Sequence, residues 1–278
     1  MADFCSAVDK QWISTLEHYA YPHFGDLLVS DIEAPLIRDA LAEIWLEKPE
    51  TARRVRQRVG TVLDWCFSKG YRANEAPMRS ISKGLPRQPR KSGHFAAMPF
   101  VGVPAFVGKV RERSSVGRLA LEFLILNASR SGEVRNAVWQ EFDLKRSVWI
   151  IPAERMKMAE EHQVPLSRQA LQVIERAKSF RNESSDLVFP GQRRRRPLSD
   201  MTLLKILRDM EIGVTVHGFR SSFRDWAAEE TSFPGEVAES ALAHAVQNRV
   251  EAAYRRTDFF EKRRKLMQEW GNFCMGNK

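Results

Sequence analysis

The sequence predicts a mainly α-helical chain with one small antiparallel β-sheet, an α+β fold built as two domains. Three observations carry that expectation. Apolar residues recur at helical spacing through most of the 278 residues. The period changes to that of strands only around Val148-Trp149-Ile150-Ile151-Pro152 and again at His162-Gln163-Val164-Pro165-Leu166, which read as a strand and its antiparallel return. Composition changes once as well: from Ala76 to Arg111 there is no acidic residue, while Arg79, Lys83, Arg87, Arg90, Lys91, Lys109 and Arg111 alternate with Pro77, Pro86, Pro89 and Pro99. A basic, proline-bearing stretch of this kind reads as a linker. The expected division is therefore a helical domain over 1–76, a linker over 77–98 and a second domain over 99–278.

Each element has its own signal. Ile13, Leu16 and Tyr19 lie at helical spacing in a segment from about Val8 that Pro22 and Gly25 end. A second helix covers Ala34 to Glu47. A third opens at Pro49, which suits a first helical turn because its missing N–H would have no partner there, and it continues to Ser68 before Gly70. Its apolar stripe is Val55, Val59, Val62, Leu63, Cys66 and Phe67. Arg53, Arg54, Arg56 and Arg58 occupy the remaining surface, either as a solvated face or as a face for a polyanion. In the second domain Leu119, Leu121, Phe123, Leu124 and Leu126 are apolar on nearly every side, so their helix is buried. It runs into Asn127-Ala128-Ser129-Arg130-Ser131-Gly132-Glu133-Val134, where Arg130 is held between a helix end and a new helix start. A structural ion pair with Glu133 is one reading of that arginine, and a fixed charge for a ligand is the other. Lys157 falls on the hairpin or its edge. Ser167 caps a helix containing Ala170, Leu171, Val173, Ile174 and Ala177. Arg193 to Arg196 form a basic loop, and Ser199 or Asp200 caps a helix with Leu203, Leu204, Ile206 and Leu207. Helices over Glu236–Leu242, Asn248–Tyr254 and Phe259–Phe273 complete the chain.

Composition narrows the function. Hydrophobic content of 43% with 28% charged residues describes a globular chain. The formal net charge of +9 and a pI near 9.7 call for a polyanionic partner, nucleic acid first and an anionic membrane surface second. No apolar run is long enough to span a bilayer, and Met1 to Lys10 holds no signal-peptide core. Cys5, Cys66 and Cys274 lack metal-ligand spacing and cannot all pair, which fits a reducing cytoplasm, with Cys66 in the core. No metal or other cofactor is expected, because no cluster of acidic residues accompanies the histidines.

The residues that carry chemistry concentrate near the C-terminus: His217-Gly218-Phe219-Arg220, then Ala241-Leu242-Ala243-His244, then Tyr254. Arginine grips phosphate oxygens in a planar fork and keeps its charge. Histidine moves protons near neutral pH, and a tyrosine hydroxyl can be a covalent nucleophile. Together these types suit a phosphodiester better than a carbonyl or a metal.

With Arg130 and Lys157 ahead of them, Arg130, Lys157, His217, Arg220, His244 and Tyr254 stand in an order that resembles the tyrosine recombinases, the phage-integrase family. The similarity is greatest to the satellite-phage and genomic-island branch. It is carried by Arg130-Ser131-Gly132-Glu133-Val134, Pro152-Ala153-Glu154-Arg155-Met156-Lys157, Val164-Pro165-Leu166-Ser167, His217-Gly218-Phe219-Arg220, Leu242-Ala243-His244 and Ala253-Tyr254-Arg255-Arg256. It covers about Gln11 to Phe273. The resemblance implies that the first domain is a SAM-like core-binding domain, the second a catalytic domain, and that the two clamp duplex DNA. It implies attack by Tyr254 on a scissile phosphate to give a 3′-phosphotyrosine, with Arg130 and Arg220 on the non-bridging oxygens. Lys157 would then protonate the leaving 5′-oxygen, His217 handle the tyrosine proton, His244 donate to the phosphate and Glu133 support Arg130. Duplex DNA at an attachment core site is the implied partner. A tetramer in the synaptic complex, accessory DNA-bending proteins and a place at the nucleoid are implied with it. Arg53, Arg54, Arg56, Arg58, Arg87, Arg90 and Lys91 are the candidate DNA-backbone contacts.

The chain departs from that pattern in two places. Asn127 stands where the family usually has threonine. The arm-binding domain that this branch usually carries, and part of the core-binding domain before Gln11, are expected to be missing. Two other functions stay open on sequence: a truncated, non-catalytic DNA-binding remnant, and a topoisomerase using the same chemistry without synapsis.

Overall fold

The computed structural model describes residues 2–89, 96–181, 185–192, 196–244 and 258–276, with the side chains of 2–10 left aside. The chain forms two compact units, 1–92 and 93–278. Each has its own hydrophobic core.

All regular secondary structure among the described residues of the first unit is helical. Helices α1 (Ala2–Tyr19), α2 (Tyr21–Phe24), α3 (Ala34–Trp45), α4 (Pro49–Ser68) and α5 (Met78–Gly84) surround Leu16, Phe24, Ile37, Leu41, Val55, Leu63 and Ile81. Helix α4 starts at Pro49 and buries Ala52, Val55, Val59, Gly60, Leu63 and Cys66, one stripe at three- and four-residue steps. Phe67, expected on that stripe, is exposed, and Val62 is only partly buried, because the core-facing stripe is narrower than the run of apolar residues suggests. The helix stops at Gly70, whose φ of +77° is open to glycine at little steric cost, with Tyr71 N–H donating back to the Cys66 carbonyl over 2.9 Å.

Two expectations need correction here. Pro22 does not simply end α1; it opens α2, where a proline in the first turn leaves no further donor unsatisfied. The linker does not begin at residue 77. Helix α5 buries Ile81 and is followed by the buried Leu85. Trp45 Nε1 donates to the Pro86 carbonyl over 2.7 Å, and Gln88 Nε2 to the Trp45 carbonyl over 2.8 Å. Charge and proline content hid one buried isoleucine and one buried leucine, which are enough to bind the segment to the first core.

The second unit is built around α7 (Val116–Asn127), which is buried over most of its length. Helices α6 (Val103–Arg111), α9 (Arg168–Ala177), α10 (Thr202–Asp209) and α13 (Phe260–Cys274) pack on it. Its one buried charged residue, Glu122, lies between Arg111 and Arg176 at 3.2 and 2.8 Å; burial nonetheless holds its carboxyl above the usual range. Helices α11 (Gly218–Glu230) and α12 (Gly235–Ala241) close the core. Phe223 and Trp226 of α11 pack against Trp270 of α13, the first edge-on and the second tilted, with ring centroids 5.5 and 5.0 Å apart. Ser167 caps α9 as expected, its hydroxyl accepting from Ala170 N–H. The start of α10 differs: Met201 is the N-cap residue and makes no side-chain cap, while Ser199 Oγ accepts from Met201 N–H one step earlier.

The sheet has three strands in the order β1-β2-β3, all antiparallel. Strands β2 (Val148–Ile151) and β3 (His162–Pro165) pair with Trp149 opposite Val164 and Ile151 opposite His162. Strand β1 (Phe142–Asp143) was not foreseen, since two residues carry no period; it is held by the stack of Phe142 on Trp149, with ring centroids 5.5 Å apart.

Candidate active site

The site is assembled at three helix ends. Helix α7 stops because Ala128 turns into the left-handed region at φ 47°, and its N–H and that of Ser129 return to the Ile125 and Leu124 carbonyls. The chain then extends through Arg130, the residue before helix α8 (Ser131–Arg135). Glu133, one turn into α8 and itself buried, binds Arg130 at both ends. One carboxylate oxygen accepts the Arg130 backbone N–H and the other accepts Nη1, both at 2.7 Å. The ion pair and the fixed charge are thus the same arrangement. The clamp leaves Nη2 to reach the Ala243 carbonyl at 3.0 Å, a residue 113 positions away.

Arg220 comes from the first turn of α11 and is 4% exposed. Nη1 donates to the Ala128 carbonyl and Nη2 to the Leu242 carbonyl, each over 2.6 Å. Among the described residues no carboxylate touches it, and its buried Nε has no hydrogen-bond partner. Burial first, and then the neighbouring Arg130, push its pKa down to about 10 against the pull of Glu133 and Glu239, which still leaves it charged at neutral pH. Both guanidiniums therefore meet at the carbonyls of 242–243, with Arg130 also held by Glu133 and Arg220 by the Ala128 carbonyl.

His244 follows α12 and completes this group. Its Nε2 is 3.0 Å from Arg220 Nη2, and its Nδ1 is 2.6 Å from Glu239 Oε2. Arginine only donates and carboxylate only accepts, so these contacts select the tautomer with Nδ1–H toward Glu239 and Nε2 accepting. Burial raises the Glu239 carboxyl, but hydrogen bonds from Arg224 and His244 outweigh it and leave its pKa below the ordinary value. Glu239 was not singled out from sequence; a carboxylate five residues before a candidate histidine was the available signal.

His217 is the N-cap residue of α11, with an exposed ring. Its pKa is lowered by partial burial of the imidazole and then by the nearby Arg220, Arg130, His244 and Lys157, which favours the neutral ring. The turn that carries it is pinned by residues 96–98. Thr215 N–H donates to the Ala96 carbonyl over 2.9 Å, and Ser222 Oγ to the Met98 carbonyl over 2.5 Å. A Cβ on Gly218 would stand 2.4 Å from the Ala96 oxygen, so only glycine fits between His217 and Phe219.

Lys157 is exposed on the turn between β2 and β3, near enough for its charge to act on His217. Tyr254 lies outside the described residues, as do Arg90 and Lys91. The two ends of its segment are described. Ser240 Oγ donates to the Asp258 carbonyl over 3.0 Å, and Arg263, which is fully buried, binds Asp258 through Nε to the carbonyl and Nη2 to the carboxylate. Arg263 and His162, a half-buried histidine of β3, escaped the sequence reading because neither belongs to a motif. Burial, Arg263 and Arg130 bring the His162 pKa down to about 4 against the pull of Glu133 and an Ala241 backbone hydrogen bond. Among the described residues no group of three or more His, Cys, Asp or Glu side chains is placed to hold a metal ion.

The candidate DNA contacts of the first unit divide. Arg53 and Arg54 share Glu50 at 3.2 and 3.3 Å on an exposed face. Arg58 is turned inward instead, donating to the Gln11 and Trp12 carbonyls and to Thr15 Oγ1, with its guanidinium over the Trp12 ring. That is a helix-to-helix fastening of α4 to α1. Arg56 is partly buried and Arg87 exposed.

The chain is thus a helical unit followed by a helical unit with a three-stranded sheet, with two fixed arginines beside a histidine, and the comparisons place that arrangement in a family. Residues 3–82 match the phage integrase central domain and residues 103–261 the phage integrase family. The chain belongs to the phage integrase family. It is 32% identical over 273 residues to prophage integrase IntA of Escherichia coli K12, covering 95% of this chain and 64% of that protein. To the integrase of Enterobacteria phage P4 it is 31% identical over 306 residues, covering 98% and 68%. Its fold is that of a lambda integrase dimer bound to a COC′ core site, with a TM-score of 0.62 at 17% identity over 89% of this chain and 87% of that one. The Tn1549 transposon integrase in complex with circular intermediate DNA gives a TM-score of 0.59 at 12% identity, over 91% and 93%.

Proposed function

We propose that this chain is a site-specific, metal-independent DNA recombinase that cuts and rejoins strands through a 3′-phosphotyrosine, integrating or excising a mobile element. The observation that carries the reading is the pair Arg130 and Arg220. Both reach backbone carbonyls, and among the described residues Arg220 has no carboxylate in contact. A buried cation left without an anion, with one donor unspent, is costly to the fold, and a phosphodiester bound there would offset the cost.

In this mechanism the two guanidiniums take the non-bridging oxygens and stabilise the charge that builds up as phosphorus becomes five-coordinate. His217, whose neutral form is favoured, accepts the proton of the Tyr254 hydroxyl as its oxygen bonds to phosphorus. The bond from phosphorus to the 5′-oxygen breaks, and Lys157 supplies the proton that oxygen needs. His244 Nε2 accepts from Arg220 without DNA, so it must gain a proton or turn before it can donate to the phosphate. The bond energy stays in the phosphotyrosine, and rejoining reverses the same steps without ATP. The partner is duplex DNA at a core site, with four copies in the synaptic complex, accessory DNA-bending proteins and a location at the nucleoid. The domain roles follow: the first helical unit, with α5 as part of it, reads the core site, and 99–278 is catalytic.

Tyr254→Phe tests the nucleophile, since it removes one hydroxyl. It is expected to retain DNA binding and to form no covalent protein–DNA adduct on a denaturing gel. Undiminished adduct would move the nucleophile to Tyr19, Tyr21 or Tyr71. Cleavage by the unaltered chain should persist in excess EDTA, and loss that magnesium restores would overturn metal independence.

A further inference from the structure

The residues around Lys157 carry an attachment that neither the motif order nor the proposed roles use. Arg155 ends the short 3-10 turn Ala153–Arg155 that follows β2, two residues before Lys157. Its side chain is only 21% exposed and forks in two directions. Nη1 binds Glu141, a buried carboxylate whose other oxygen accepts Trp149 Nε1 over 2.9 Å. Nη2 binds the backbone carbonyl of Glu133. Glu133 is the residue whose carboxylate clamps Arg130 at its backbone and its side chain. The next residue, Met156, is buried in the core, its N–H donating to the Ala153 carbonyl over 3.0 Å. From Lys157 to Glu161 every residue is exposed. Lys157 is thus the first free residue after two anchored ones.

We propose that Arg155 is a positioning residue: it ties the turn that carries Lys157 to the Arg130–Glu133 clamp and so sets the lysine ammonium against the same phosphate that Arg130 holds. The physical need is plain. A lysine side chain has four flexible methylenes, and a general acid must come within hydrogen-bond reach of its oxygen. Anchoring the backbone two residues earlier restricts where the ammonium can go. The planar fork suits the task, because its two arms engage a carboxylate of one element and a carbonyl of another at once. A plain structural ion pair would need only Glu141. The second arm, spent on the residue whose carboxylate also holds Arg130, is what points to alignment of the acid with the phosphate clamp.

The inference rests on the reading of Lys157 as the acid that protonates the 5′-oxygen, and the test separates the two. A duplex that the full 278-residue chain cleaves is first selected from a random-sequence library by capture of covalent adducts, and the scissile phosphate is mapped. The same duplex is then made with sulfur in place of the bridging 5′-oxygen, a leaving group that departs as thiolate without a proton. Adduct formation is measured for the unaltered chain, Lys157→Ala and Arg155→Gln on both duplexes. Arg155→Gln is expected to lose roughly 10- to 100-fold on the oxygen duplex, the scale of a small misplacement of a reacting group. It should return to within a few-fold of the unaltered chain on the sulfur duplex, as Lys157→Ala does. If Lys157→Ala is restored by sulfur and Arg155→Gln is not, the positioning role is overturned and Arg155 serves the fold alone. If neither is restored, the acid role of Lys157 fails, and the coupling to it fails with it.

Thermal unfolding shows whether Arg155→Gln stays folded. Should it not, Arg155→Lys carries the same comparison, since lysine can keep the pair with Glu141 but not the second arm. Amide exchange in the DNA-free chain gives a reading that needs no cleavage. Exchange across 156–161 is expected to quicken in Arg155→Gln while that of α7 is unchanged, and an unaltered 156–161 segment would overturn the anchoring.

Discussion

Helix α4 of the first unit and the turns around α7, α11 and α12 of the second both gather arginines, and they hold them in opposite ways. On α4, Arg53 and Arg54 are 43% and 54% exposed and share one exposed glutamate, an arrangement that salt screens and that contributes little to stability. In the second unit Arg220 is almost wholly buried and rests on carbonyl oxygens. Neutral acceptors fix its position without cancelling its charge. A guanidinium on a solvated face can follow a phosphate backbone wherever it runs. One cradled by carbonyls presents its charge at one place, which is what stabilising a transition state requires.

The largest effect that could break this contrast is expected at Arg220. Arg220→Lys keeps the charge but cannot reach the Ala128 and Leu242 carbonyls together. Adduct formation should fall by roughly 10²- to 10³-fold, the scale for losing one such donor, while binding to the core site changes little. A lysine variant with near-normal cleavage would show that charge alone suffices and that the cradle is incidental.

A second effect concerns a half-buried basic group, His162. His162 has a pKa near 4, held down by burial and by Arg263. The unfolded chain takes up a proton as pH falls through about 6.5, whereas the folded chain does not until about 4. Stability is therefore lost over that window. At pH 4.5 the cost should be about 2–3 kcal/mol relative to neutral pH. His162→Gln should lose that much less between pH 7 and 4.5 in urea unfolding. Equal losses in both proteins would mean that the imidazole is not shielded. The comparison sharpens accordingly: burial removes the proton from a histidine but leaves an arginine charged.

The smallest effects separate arginines within α4 itself. Arg53→Ala should leave stability within about 0.5 kcal/mol, lower DNA affinity alike on all sequences, and reduce the slope of log affinity against log salt by ~0.9. Arg58→Ala should instead cost about 1 kcal/mol or more of stability, because its bonds to α1 are lost, with little change in that slope. If Arg58→Ala lowered the salt slope as much as Arg53→Ala while leaving stability intact, its inward fastening would not persist on DNA.

These cases show where sequence reading succeeds. Pro49, the α4 stripe and the change of period at Val148 are local signals, each set by a few neighbouring residues, and the helices and hairpin followed them closely. Strand β1 and helix α5 were missed because two residues have no period and because one buried isoleucine in a basic, proline-rich run has no visible partner.

The sequence by itself determined the family, the two helical units and the order Arg130, Lys157, His217, Arg220, His244, since those rest on residue identity and near spacing. Tertiary structure alone decided that Arg220 and Arg130 meet the carbonyls of 128 and 242–243, that Glu239 selects the His244 tautomer, and that Arg155 reaches Glu133. The reason is physical. A backbone carbonyl is the same in every residue and leaves no mark in a sequence, and contacts such as Arg220 to Ala128 join positions 92 residues apart. Only the packing of α7, α11 and α12 brings those anonymous acceptors to the guanidiniums that need them.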